Sequence, residues 1–75
     1  MQTLDTLSLG KSCLVLHTNA CPIFQRRLLD LGITSGTKIT ALHKSIPGDP
    51  IAYEIRGAVI ALRKTDAKNI FIQLL

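Results

Sequence analysis

The run Ile51-Ala52-Tyr53-Glu54-Ile55, the pair Arg56-Gly57 and the run Ala58-Val59-Ile60-Ala61-Leu62 constrain this chain more than any other stretch. With Arg56-Gly57 as a two-residue turn, Ile55 faces Ala58, Tyr53 faces Ile60 and Ile51 faces Leu62. That register gathers the large apolar side chains on one face of a hairpin. The other face carries Ala52, Glu54, Val59, Ala61 and Arg63. This mixture is only partly compatible with water and offers the start of a second contact surface.

Upstream, Ser12 to Thr18 reads as a strand, with Leu14 and Leu16 on one face and Cys13, Val15 and His17 on the other, because side chains alternate with period two. Pro22 suits a first helical position and pushes Cys21 into the N-cap slot. From Pro22 to Leu31, Phe24, Leu28 and Leu31 recur at helical spacing and form one apolar stripe, which leaves Arg26, Arg27 and Asp30 off it. Gly32 fits the left-handed residue that ends a helix, and Ile33 then packs back on Leu28.

Thr34-Ser35-Gly36 is a turn, and Thr37 to Ser45, rich in Thr and Ile, reads as a strand. Pro47 and Gly48 suit the centre of a type II turn flanked by Ile46 and Asp49, and Asp49-Pro50 prolongs that loop. Thr65 to Asn69 is a single helical turn capped by Thr65 or Asp66, and Ile70 to Leu74 is a last strand. Strands this short hide their edges best by curling. The expected fold is therefore mainly β, a small SH3-like five-stranded barrel with one short α-helix after the first strand.

With 75 residues there is room for a single domain, residues 1–75, near the lower limit for a core without metals or disulfides. Apolar residues make up 47% of the chain, which leaves apolar surface for a partner. The net charge of +4 is scattered in single residues and pairs, and the aromatics are Phe24, Tyr53 and Phe71 alone. Single-strand binders need basic grooves with stacking platforms, so nucleic acid is not the expected partner. No apolar run approaches the roughly 20 residues that cross a bilayer, and the N-terminus lacks the basic flank and apolar centre of an export signal. A cytoplasmic protein is expected. Cys13 and Cys21 are too few and too irregularly spaced for a secreted disulfide framework. No nucleophile-base-acid set, paired carboxylates or phosphate-cradling glycine loop is present, so no enzyme is expected.

Three segments, Arg26 to Ile33 (RRLLDLGI), Gly48-Asp49-Pro50, and Tyr53 to Gly57 continued through Ala61-Leu62-Arg63, resemble the FeoA proteins in order and spacing. The match runs from about Leu7 to Ile72. FeoA proteins are small cytosolic partners of the bacterial ferrous-iron transporter FeoB. The resemblance implies a non-enzymatic accessory of ferrous-iron uptake that contacts the cytosolic GTPase region of a FeoB-type transporter. FeoA-like barrels also end iron-dependent repressors of the DtxR type behind a DNA-reading helical domain, and at this length a stand-alone accessory is the expectation instead.

Arg26, Arg27, Leu29, Gly48, Asp49, Pro50, Arg56 and Arg63 are the candidate partner-binding residues. Arginine binds carboxylates bidentately, and an exposed Leu29 beside the pair has the make-up of a hot spot. Each has a plainer reading. Arg26 bridges Asp30 one turn on, Leu29 is buried under the loop after Ile33, Gly48 to Pro50 only form a turn, and Arg56 and Arg63 solvate the hairpin. The competing function is a transition-metal carrier or sensor, with Cys13, His17, Cys21 and His43 as weak ligand candidates. Cys13 and His17 on one strand face would stand about 13 Å apart, too far to share an ion without a bend. No cofactor is therefore expected beyond weak transition-metal binding, and exposed strand edges leave room for a weak homo-oligomer.

Overall fold

The computed structural model describes residues 2–19, 21–45 and 47–75. Strands β1 (Gln2–Thr3), β2 (Ser12–Thr18), β3 (Lys38–Lys44), β4 (Ile51–Ile55), β5 (Ala58–Leu62) and β6 (Ile70–Leu74) pair antiparallel in the order β1-β6-β2-β3-β4-β5. Helix α1 (Pro22–Asp30) follows β2, a one-turn helix α2 (Lys64–Ala67) precedes β6, and a 3₁₀ turn spans Leu4–Thr6. Five of the strands and α1 are those read from the sequence. The two-residue β1 is an addition, paired with Phe71 and Ile72 of β6.

The hairpin has the expected register, Ile51 opposite Leu62, Tyr53 opposite Ile60 and Ile55 opposite Ala58. Its loop residues Arg56 and Gly57 both have positive φ, 51° and 81°, as a type I′ turn requires. At the other loop, Gly48 has φ 124° and the Asp49–Pro50 peptide is cis, while Ile46, the first residue of the expected type II turn, lies outside the described residues.

Two β-bulges bend the sheet. In β2, Val15 pairs with Ile72 and His17 with Phe71, so Leu16 has no partner on β6. In β3, Ala41 pairs with Tyr53 and His43 with Ala52, so Leu42 is likewise extra. An extra residue reverses the inward-outward alternation beyond it and sharpens the local twist. The concave face collects Cys13, Val15, Ile39, Ala41, Ile51, Tyr53, Ile55, Leu62, Ile70 and Ile72, all buried. Leu28 and Ile33 cover it on the α1 side, and Leu4, Leu7 and Ala67 complete the core. Leu4 is held in place by the Tyr53 hydroxyl, which donates to its carbonyl at 3.3 Å. Burial of apolar side chains from both helices and all but the shortest strand supplies the main driving force.

Burial pushes the Cys13 thiol up to about 11 and the Tyr53 phenol, with Asp5 adding to it, up to about 12. An unfolded thiol ionises from about pH 8.5, while the folded one stays neutral. Because the folded pKa is the higher, Cys13 gives its full contribution to stability below about 8.5 and loses it as pH rises towards 11. Urea midpoints are expected to be level from pH 6 to 8 and to fall by pH 10. Cys13→Ala should flatten that fall, and an equal fall in the variant would place its source elsewhere.

Candidate functional surface

Helix α1 begins as its sequence dictates, with Cys21 as N-cap and Pro22 at its first position, and no side chain caps it. Its end is a Schellman stop: the Ile33 N–H donates to Leu28 O at 2.8 Å, the Gly32 N–H to Leu29 O at 2.9 Å, and Gly32 takes φ 84°. The apolar stripe turns inward, with Leu28 buried and Phe24 and Leu31 half-buried against the core. Arg26 and Arg27 are exposed, and so are Leu29 at 61% and Ile23 at 84%. Leu29 is thus not covered by the loop after Ile33. Ile23 was missed in the sequence because it sits one residue before the stripe, and its exposure depends on how α1 lies on the sheet.

The outer side of α1 continues into α2. Arg27 and Asp66 approach to 3.9 Å, whereas the sequence suggested Arg26 with Asp30. Asp66 comes from an element too far along the chain for spacing to reveal. Arg27 is exposed and Asp66 half-buried at a long 3.9 Å, so the worth of the pair is small, and the arginine is available to a better carboxylate.

The α2 turn is capped differently from the expectation. Its N-cap is Arg63 rather than Thr65 or Asp66, and no local side chain caps it. Asp49 does so from across the fold, accepting a hydrogen bond from the Lys64 N–H at 2.9 Å. A carboxylate there satisfies an otherwise unpaired donor and meets the positive end of the helix. Asp49 therefore bonds at long range and not within its own turn. These two contacts link Arg27 of α1 to Asp66 of α2, and the α2 N-terminus beside Arg63 to Asp49 of the Gly48-Asp49-Pro50 loop, while Arg26 takes no part in them.

Arg56 lies at the other end of α1. Its Nε donates to Gly32 O at 2.7 Å, and a terminal nitrogen stands 3.5 Å from the hydroxyls of Thr34 and Thr37. A Cβ at Gly32 would come within 2.8 Å of Arg56 Cδ, so glycine serves there both for its φ and for the close approach.

The metal-ligand candidates do not converge. Cys13 faces the core, and its raised pKa disfavours the thiolate that a metal would need. His17 does not share its face: the bulge at Leu16 turns it outward, where it stacks on Phe71 at 4.6 Å. His43 is turned out in the same way by the bulge at Leu42, and Cys21 is exposed at the start of α1. Among the described residues, no group of three or more His, Cys, Asp or Glu side chains is placed to hold a metal ion. No helix among them is long and apolar enough to cross a membrane.

Comparison with known proteins gives this surface its context. The FeoA domain matches residues 2–74. A fusion of Fe(2+) transport protein A with the Fe(2+) transporter FeoB, from Porphyromonas gingivalis, is 28% identical over 72 residues, covering 96% of this chain and 8% of the fusion. The chain therefore spans only a small part of that relative. The solution structure of a FeoA protein from Chlorobium tepidum superposes with a TM-score of 0.92 at 32% identity, covering 99% of this chain and 70% of that one. A Stenotrophomonas maltophilia FeoA, crystallised with zinc and described as a prokaryotic SH3 domain protein, gives 0.85 at 27% identity over 97% of this chain and 91% of that one. A mainly β, SH3-like barrel with these relatives, matched along almost all of its length, makes this chain a member of the FeoA family of ferrous-iron transport.

Proposed function

We propose that the protein, as one FeoA-type domain, is a non-enzymatic accessory of ferrous-iron uptake that docks from the cytoplasm on the GTPase region of a FeoB-type transporter. The observation that carries this reading is the relative in which a segment similar to this chain is fused to the transporter itself. Fusion of two functions in one chain supports their physical association when they are separate. Arg26, Arg27 and Leu29 form the centre of the docking surface, where a cationic pair flanks an exposed leucine. Arg63 and the Gly48-Asp49-Pro50 loop extend it past α2. Its effect on transport is exerted by differential contact with the nucleotide states of the partner, and GTP hydrolysis belongs to the partner.

Arg26→Glu combined with Arg27→Glu tests the surface. Both side chains are exposed, so the thermal midpoint should stay within a few degrees. Affinity for the GTPase region, read by calorimetry, should fall about tenfold or more, with the salt dependence reduced. Undiminished binding in the double variant would remove these arginines from the interface.

A further inference from the structure

Arg56 occupies a position that the hairpin alone would give to another residue. The first residue of a type I′ loop needs positive φ, which Asn tolerates far better than a long side chain does. Here φ is 51° and the residue is arginine. Nothing within the hairpin accounts for that choice, but the side chain's contacts do. Arg56 reaches across to the residue that ends α1, donates Nε to Gly32 O at 2.7 Å and lies along the space left by the missing Gly32 side chain. A cation there also meets the negative end of the helix. The other ties on α1 are few: one buried side chain, Leu28, the half-buried Phe24 and Leu31, and the long 3.9 Å pair of Arg27 with Asp66.

We infer that Arg56 is a positioning residue: it clasps the C-terminal stop of α1 and so fixes the angle at which Arg26, Arg27 and Leu29 are presented. This assignment rests on the docking reading above, and Arg56, a candidate partner contact from the sequence, then acts through α1 and does not touch the partner. It also gives a physical reason for two of the matching segments to occur together, because Gly32 of the first and Arg56 of the third are halves of one contact.

Arg56→Asn separates the two roles, because asparagine suits the turn and removes the clasp alone. In the free labelled protein, amide exchange at Gly32 and Ile33 should quicken about tenfold while β4 and β5 keep their protection. Affinity for the GTPase region of a FeoB-type transporter, measured where both proteins are fully folded, should fall about tenfold, and less than additively when combined with Leu29→Ala. Arg56→Lys, which restores a donor without the planar fork, should recover part of the loss.

Unchanged exchange around Gly32 would overturn the clasp. Faster exchange with unchanged affinity would reduce Arg56 to a stabilising role and overturn the positioning one. A loss of affinity that adds fully to that of Leu29→Ala, without any change in exchange, would make Arg56 a direct contact. Absence of binding by the unaltered protein would remove the docking reading and the positioning role with it, and the exchange data would still report the clasp separately.

Discussion

Leu28→Ala is expected to cost a large share of the stability of the fold. Leu28 is 1% exposed, it is the one buried residue of α1, and it also supplies the carbonyl that closes the Schellman stop. Truncating a buried leucine costs about 2 to 5 kcal/mol, depending on how far the surroundings collapse into the space. A chain of 75 residues has a total stability of only about 4 to 11 kcal/mol at typical values per residue. The thermal midpoint should therefore drop by about 10 °C or more, and a cost of about 5 kcal/mol against a total of about 4 kcal/mol would leave the protein unfolded at room temperature. Ile23→Ala, on the same helix but 84% exposed, should change it by less than a few degrees. Equal effects of the two substitutions would contradict the facing of α1 on the sheet.

Leu4→Ala should be nearly as damaging, although Leu4 lies next to the N-terminus, where substitutions are usually tolerated. Its side chain is fully buried, and its carbonyl accepts the Tyr53 hydroxyl from the central hairpin. Loss of the side chain opens a space in the core and releases the 3₁₀ turn that places Leu7 beside it. A cost of about 2 to 4 kcal/mol is expected, read as a lowered urea midpoint at unchanged slope. Leu9→Ala, five residues on and 46% exposed, is the control and should leave the midpoint in place. A midpoint unmoved by Leu4→Ala would mean that the first turn is not part of the cooperative fold.

These two residues mark what could be read before the structure and what could not. Leu28 was legible because α1 has both a period and punctuation: a stripe at 24, 28 and 31, Pro at the start and Gly at the stop. The hairpin was legible because one register satisfies every large side chain on its buried face. Leu4 and Leu7 were not, since a two-residue strand and a three-residue turn are shorter than any period. The bulges escaped for a related reason. One extra residue changes no composition, yet it turns His17 away from the face of Cys13 and Val15, and His43 away from that of Ile39 and Ala41.

The candidate surface shows the same division. Arg26, Arg27 and Leu29 were placed by helical geometry, and the structure leaves all three exposed. The roles of Asp49 and Arg56 needed the tertiary fold, because their partners Lys64 and Gly32 stand 15 and 24 residues away in the chain. Both side chains tie a helix end to a loop, so the Gly-Asp-Pro and Arg-Gly segments hold the helices that border the proposed docking surface.

The most direct test of the proposed docking is a backbone NMR titration of the labelled protein with the cytosolic GTPase region of a FeoB-type transporter, with and without a non-hydrolysable GTP analogue. Saturable shifts centred on residues 23–33, stronger in one nucleotide state, are the predicted result. No shifts in either state at the highest attainable concentration would contradict docking on the GTPase region.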